Sequence, residues 1–303
     1  GMVELRHLRY FCAVAEEKNM TRAAEKIFMA QPPLTRQIKQ LEEEVGVQLI
    51  QREARGITLT PAGEYFWKQA QLILEKLASC VEESRRIDAG KKRIFRIGFV
   101  PSIFYGQLPQ LVRRLRQQHK VDVELHEMKT GEQIEALKSG KIDMGFGRVV
   151  MPSLEADVTQ KLLFSEPILA ALPIHHPLAN DDVDMAELAT LPLITYPGGK
   201  PPTFANICLD LFASRGLRVR VAQQVNDIGT ALGLVASDMG FTLVPEQVMR
   251  TNRDGVAFVR LKDDGINSPV FLSKREEAED DIMAAAMLIL DELVQNRIEG
   301  RYP

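Results

Sequence analysis

Between Phe66 and Ile87 the chain repeats itself at spacings of four and three: Phe66, Ala70, Ile73, Leu77, Cys80, Ser84, Ile87. That is the a/d seam of a heptad held over three repeats, with Glu75, Lys76, Glu82, Glu83, Arg85 and Arg86 off it. Pro61 starts this helix and Gly90 ends it. A rod of that length cannot fold back into one globule with its flanks. It divides the chain into residues 1–60, a linker helix over 61–90, and residues 91–303. The stripe either packs on its own domain or meets a helix from a second copy. A lone helix joining two compact parts has little else to cover it, so dimerisation is the expectation.

Residues 1–60 read as short helices and a hairpin. Leu5, Leu8, Phe11, Cys12 and Ala15 share one helical face, and Asn19-Met20-Thr21 breaks it. Thr21 is the expected cap of a second helix that buries Ala23, Ala24 and Ile27. After a tight turn at Phe28-Met29-Ala30-Gln31, Pro32-Pro33 opens a third helix, whose inner face is Leu34, Ile38, Leu41 and Val45. Gly46 stops it, and Leu49 to Thr60 suggests a two-stranded wing with Arg55-Gly56 at its tip. The result is a winged helix-turn-helix. Its third helix offers Gln31, Thr35, Arg36 and Lys39 opposite the buried face. Arginine can pair with guanine in the major groove, glutamine with adenine, and threonine with a base edge or a thymine methyl. Arg52 and Arg55 on the wing would reach phosphates or the minor groove. A helical protein-interaction module remains the alternative reading of the same pattern.

A formal charge of −3 excludes a broadly basic nucleic-acid coat but not a local patch. Lys18, Arg22, Lys26, Arg36, Lys39, Arg52 and Arg55 supply such a patch, while Glu42, Glu43 and Glu44 gather at the far end of the third helix. The opening GMVELRHLRYF carries charge where the apolar core of an export signal would lie, so a cytoplasmic location is expected. Cys12, Cys80 and Cys208 are odd in number and far apart, which implies neither a disulfide framework nor a zinc site.

From Lys91 onward strands and helices alternate. Strands are expected over Arg93–Val100, Val121–Glu127, Ile142–Phe146, Leu193–Tyr196, Arg218–Val225 and Phe241–Val244. Helices are expected over Gly106–Lys120, Gly131–Ser139, Phe204–Arg215, Ile228–Asp238 and Ala278–Arg297. Crossing strands are expected near Leu162–Leu172 and Ser268–Leu272. The alternation predicts parallel sheets covered by helices, in two lobes. The fold class is therefore α+β multidomain: a winged helix-turn-helix, a long linker helix, and a two-lobed α/β domain like those of periplasmic binding proteins.

A ligand in such a domain sits between lobes, at strand ends and helix starts. Ser102, Thr130 and Arg148 follow three strands of the first lobe, and Lys200-Pro201-Pro202-Thr203-Phe204 leads into a helix of the second. Helix N-termini and a guanidinium favour carboxylates, and Pro202 and Phe204 add an apolar wall. Ser102 and Thr130 could instead be helix caps, and Arg148 a surface ion-pair residue. Enzyme signatures are missing. Gly145-Phe146-Gly147 lacks the third glycine of a dinucleotide fingerprint, and there is no phosphate loop, HExxH or GxSxG. His175-His176-Pro177 reads as a loop rather than a metal site.

The run LRHLRYFCAVAEEKNMTRAAEKIFMAQPPLTRQIKQLEEEVGVQLIQREARGITLTPAGE resembles the head of LysR-type transcriptional regulators. RIGFV, LPQLVRRLRQ, EALKSGKIDMGFGR, HHPLA and ALGLVA with GFTLVP are similar to that family's effector-binding domain. QPPLTRQI, EMKTGEQIEALKSGKIDMGFGR and KPPTFA look most like the subgroup controlling catechol and benzoate breakdown, which responds to muconate-type dicarboxylates. The resemblance implies a regulator rather than an enzyme. It implies DNA contacts by Gln31, Pro32, Pro33, Thr35, Arg36, Arg52 and Arg55. It also implies dimers through the 61–89 helix, tetramers through the effector domains, and RNA polymerase as a partner. No cofactor is implied. The inducer, a dicarboxylate such as cis,cis-muconate, would lie at Ser102, Thr130, Arg148, Pro202, Thr203 and Phe204; another small organic acid is the alternative.

Overall fold

The computed structural model describes residues 1–152, 157–198, 203–276 and 280–300. The chain forms two compact units. The first holds residues 1–91 with the short segment 138–141, and the second holds the rest.

In the first unit, α1 (Leu5–Glu17), α2 (Met20–Lys26) and α3 (Gln31–Val45) enclose Phe11, Val14, Ala23, Leu34, Ile38 and Leu41. The cap of α2 is Asn19, not Thr21: its side-chain oxygen accepts the N–H of Arg22 at 2.9 Å. Helix α1 ends at Lys18 in the left-handed region, so the next helix starts one residue before Thr21 and places that threonine in its first turn. Pro32 and Pro33 lie in the first turn of α3, where backbone N–H groups have no intrahelical acceptor to lose.

Strands β1 (Ile50–Glu53) and β2 (Gly56–Leu59) form the antiparallel wing, with Glu53 opposite Gly56. Gly56 has φ +131° and a Cβ there would stand 2.7 Å from the Lys18 carbonyl, so only glycine fits. That carbonyl accepts the Ile57 N–H at 3.0 Å and fixes the wing to the end of α1. Glu42 accepts the N–H groups of Leu49 and Ile50, so one of the expected acidic-cluster residues serves the backbone.

Helix α4 (Pro61–Asp88) is capped by Thr60, whose hydroxyl accepts the Gly63 N–H at 2.9 Å. Its seam divides in two. Phe66 packs edge-on to Phe11 at 5.4 Å and Ala70 is buried, whereas Ile73, Cys80 and Ile87 are exposed.

The second unit runs β3 (Ile94–Phe99), α5 (Leu108–His119), β4 (Asp122–Glu127), α6 (Thr130–Ser139), β5 (Met144–Gly147), β6 (Val158–Pro173), α7 (Met185–Leu188), β7 (Pro192–Thr195), α8 (Phe204–Ala213), β8 (Arg220–Gln224), α9 (Ile228–Ala236), β9 (Thr242–Pro245), β10 (Val256–Arg260), β11 (Asn267–Arg275) and α10 (Asp281–Ile298). Strands β4, β3 and β5 are parallel, as are β7 and β8. The crossing strands expected near Leu162–Leu172 and Ser268–Leu272 are β6 and β11, and they make the sheets mixed rather than parallel. Strand β11 runs antiparallel to both β5 and β6, and β9 and β10 run antiparallel to β6. Strand β10 itself was not among the expected elements. Ala278, expected to begin the last helix, lies outside the described residues.

The long strand β6 belongs to both lobes. Its first half pairs with β11 and its second with β9 and β10. In the second half, Ile168, Ala170 and Leu172 enter one core and Leu169 and Ala171 another, the period-2 alternation of a strand covered on both faces. The first lobe packs Phe95, Ile97, Leu111, Met144 and Leu272 against Ile289, Leu290 and Leu293 of α10. Cys208 is buried in the second lobe, and burial pushes its thiol up to about 12.

Replacing Asn19 with Ala should lower the stability of the first unit by about 1 kcal/mol through loss of the helix cap, while Thr21→Ala should change it little. Thermal melts of both variants of the full chain, followed by the fluorescence of Trp67 (the sole tryptophan), decide which residue caps.

Candidate functional site

Helix α3 buries Leu34, Ile38 and Leu41 and turns Pro32, Arg36 and Lys39 to solvent. Gln31 and Thr35 are half-buried and tied together: the amide of Gln31 donates to the Thr35 hydroxyl at 2.8 Å, and that hydroxyl donates to the Gln31 carbonyl at 3.1 Å. Two polar side chains one turn apart are thereby held in a fixed relation. Pro33 is half-buried between them. Arg52 on β1 and Arg55 in the wing turn are exposed. Arg36, Lys39, Arg52 and Arg55 carry no ion pair among the described residues, so their charge is open to an anionic surface. Lys26, counted in the same basic patch from sequence, is instead paired with Glu16 at 2.9 Å and Glu17 at 3.5 Å.

The second group of candidates lies in the α/β unit. Ser102 sits in a 3-10 turn after β3, Thr130 begins α6, and Arg148 directly follows β5; all three are buried. Arg148 donates from Nε to the Ser102 hydroxyl at 2.5 Å, from Nη1 to the Ser268 hydroxyl at 3.1 Å, and from Nη2 to a Glu166 carboxylate oxygen at 3.2 Å. The other Glu166 oxygen accepts the backbone N–H of Gln247 at 2.8 Å. Arg148 is 2% exposed and Glu166 0%. Burial lowers the guanidinium from its ordinary value, and the facing carboxylate acts in the opposite direction. Arg148 is therefore neither an open cation nor a surface residue, but half of a dry ion pair.

Gly145 and Gly147 have a local explanation. A Cβ at Gly145 would stand 2.5 Å from the side-chain oxygen of Gln133, and one at Gly147 would collide with the Thr130 hydroxyl. Gln133 bridges the carbonyls of Met128 and Phe146 at 3.0 and 2.9 Å. The glycines let the start of α6 close on β5, which brings Thr130 alongside Arg148.

In the second lobe Thr203 caps α8, its hydroxyl accepting the Asn206 N–H at 3.1 Å. The Phe204 ring lies 6.0 Å from that of Tyr196. Burial pushes the Tyr196 phenol well above its ordinary range, so it is a neutral hydroxyl, within 3.2 Å of the Leu243 carbonyl and 3.3 Å of Thr242. Lys200, Pro201 and Pro202 lie outside the described residues. Ser102 and Arg148 are thus joined and Thr130 lies against Gly147, the neighbour of Arg148 in sequence, while no hydrogen bond among the described residues joins them to Thr203 or Phe204. Sequence reading missed Glu166, Ser268, Gln247 and Tyr196. Glu166 left a signal: it is the one charge in the apolar run LLFSEPILAAL. His176 caps the turn at Pro177–Asn180 by accepting the Leu178 N–H at 3.1 Å.

A wing and recognition helix ahead of a two-lobed binding unit define a DNA-binding regulator with a sensory domain. Residues 5–64 match the family of bacterial regulatory helix-turn-helix proteins of the lysR type, and residues 88–292 match the LysR substrate binding domain. The chain is 44% identical to the HTH-type transcriptional regulator CatR of Pseudomonas putida, over 90% of this chain and 93% of that one. Full-length CbnR complexed with its target DNA superposes with a TM-score of 0.66 at 30% identity, covering 96% of this chain and 100% of that one. The BenM effector binding domain with its effector benzoate gives 0.61 at 29% identity, over 70% of this chain and 95% of that one. The chain belongs to the LysR family of transcriptional regulators, DNA-binding proteins with an effector-binding domain and not enzymes.

Removing one partner of the buried pair strands the other. Arg148→Met should cost about 3–5 kcal/mol in urea unfolding followed by circular dichroism, and combining it with Glu166→Leu should restore most of that. A double-variant loss equal to the sum of the two single-variant losses would show that the pair contributes no coupling.

Proposed function

We propose that this chain regulates promoters of aromatic-compound catabolism and is induced by a small carboxylate, a muconate-type dicarboxylate. In this reading Gln31, Pro32, Pro33, Thr35, Arg36 and Lys39 face the major groove, and Arg52 and Arg55 hold the backbone or the minor groove. The inducer lies at Ser102, Thr130, Arg148, Pro202, Thr203 and Phe204. The observation that carries the inducer class is the Arg148 guanidinium, buried beside the hydroxyls of Ser102 in the turn after β3 and Ser268 on β11, and already holding a carboxylate. Such a group binds carboxylate in a forked geometry, and an acid entering the site competes with Glu166 for it. The resemblance to the catechol and benzoate subgroup supports the dicarboxylate, and the benzoate named with BenM supports an organic acid in general.

The exposed half of the α4 seam supports a dimer through residues 61–89. In this reading tetramers assemble through the effector domains, RNA polymerase is a partner and the cytoplasm is the site of action. No described helix is long and apolar enough to cross a membrane. Leu77→Glu places a charge on that seam. Sedimentation should then show a shift toward monomer, and Cys80, exposed in the single chain, should alkylate faster than in the wild type.

The inducer is tested by thermal shift across small mono- and dicarboxylates. A specific ligand at 100 times its Kd should stabilise by about 2.7 kcal/mol. A shift with cis,cis-muconate and none with saturated analogues supports the dicarboxylate; a shift with benzoate alone reassigns the ligand. Promoter footprints that are identical with and without a saturating ligand would contradict an inducible switch. Arg36→Ala should weaken specific binding by about 1–3 kcal/mol, with little loss on random duplex.

A further inference from the structure

Phe28 sits in the turn between α2 and α3, and it is 97% exposed, the most exposed large apolar side chain among the described residues. Its backbone explains how that exposure is held. The N–H of Phe28 donates to the Glu25 carbonyl at 3.2 Å and that of Met29 to the Ala24 carbonyl at 2.9 Å. These are the two bonds of a Schellman closure of α2, and they put Phe28 at the left-handed position, φ 59°. Glycine is the usual residue there, with asparagine next, because a Cβ crowds the backbone. The other non-glycine residues at positive φ among the described ones are Lys18, Lys120, Asp238 and Asn252, all polar. An aromatic ring at this position is the poorest choice both for the turn and for solvation.

The ring does nothing for the core. Ile27 and Met29 on either side of it are half-buried against the head's interior, and the left-handed residue between them turns its side chain out. Two residues further on is Ala30, the cap of α3, and then Gln31. The N-terminal turn of a recognition helix is the part that contacts base edges. The side chain just ahead of it therefore lies at the rim of the same groove. The partner of this module is a duplex, whose only large apolar feature in the major groove is the thymine methyl.

We propose that Phe28 is a DNA-contacting specificity residue, laying its ring on a thymine methyl beside the base pairs read by α3. The inference rests on the α3 reading proposed above.

The experiment uses the full-length chain and a duplex that the wild type selects from a randomised pool, with binding followed by fluorescence anisotropy. Phe28→Ala should lose about fivefold in affinity for that duplex and less than twofold for a scrambled one. Phe28→Gly relieves the backbone, so it should melt no lower than the wild type and still lose the same affinity. A turn residue with a purely structural role would not separate the two readouts. Each thymine is then replaced in turn by uracil, which deletes only the methyl. At one position the wild type should weaken by about the factor lost in Phe28→Ala, and the variant should not weaken further. If Phe28→Ala binds within twofold of the wild type, or no uracil substitution is masked by it, the proposal is overturned. Arg36→Ala in the same series distinguishes the failures. If it also keeps full specificity, the α3 reading falls and the Phe28 contact with it. If it loses specificity while Phe28→Ala does not, Phe28 alone is excluded.

Discussion

Glu166 is a carboxylate with no surface exposed to solvent, and segments from both lobes of the α/β unit meet around it. Its counter-charge, Arg148, arrives from the end of β5, and Ser102 and Ser268 take the guanidinium's other donors from the turn after β3 and from β11. The second carboxylate oxygen is held by the Gln247 N–H, at the start of the 3-10 turn that follows β9. Charged groups withdrawn from water recover the desolvation cost only when geometry and hydrogen bonds are both complete. Each of these segments therefore has one acceptable position, and displacing any of them disturbs the rest. On the proposed function this is the useful property. An acid that takes Arg148 from Glu166 leaves Glu166 to find another partner, and the contact most exposed to that change is Gln247, in the lobe opposite Arg148. Two alternative pairings of one guanidinium give two arrangements of the lobes, which is what a coupling between ligand and DNA requires.

The close packing around that pair follows from small residues rather than from large ones. Gly147 admits the Thr130 hydroxyl and Gly145 admits Gln133, whose amide spans the carbonyls of Met128 and Phe146. A side chain at either glycine would push α6 off the sheet and move Thr130 away from Arg148. The Gly-Phe-Gly run serves packing, and its likeness to a nucleotide-binding loop has no mechanistic content in this chain.

What the sequence discloses tracks what depends on local pattern. The α3 face of Leu34, Ile38 and Leu41, the wing with its tip glycine, and the rod ending near Gly90 all follow from period and punctuation, and all are present. The cap of α2 went to Asn19 because the left-handed ending at Lys18 set where α2 could begin, a backbone event that residue preference alone does not reveal. The antiparallel course of β11 was hidden because strand direction depends on how the chain returns, not on side-chain alternation. Arg148 could be picked out as a candidate, but its partner lay 18 residues away on another strand. Glu166 was legible only as an anomaly, a charge in an otherwise apolar strand, and such an anomaly says that a partner exists without saying which.

The helix α4 shows why exposure has to be judged against the whole run of a pattern. Its a/d positions are one continuous seam in sequence, yet they serve two masters in space. Phe66 and Ala70 complete the head's core beside Phe11, and further along the same register Leu77 is half-buried while Ile73, Cys80 and Ile87 are exposed. The register carries apolar Ile73, Leu77 and Ile87, with Cys80, interrupted only by Ser84. A stripe that continues past the surface it covers is the pattern of a helix that packs first on its own domain and then on another helix, and that is the geometry a reader of paired half-sites needs.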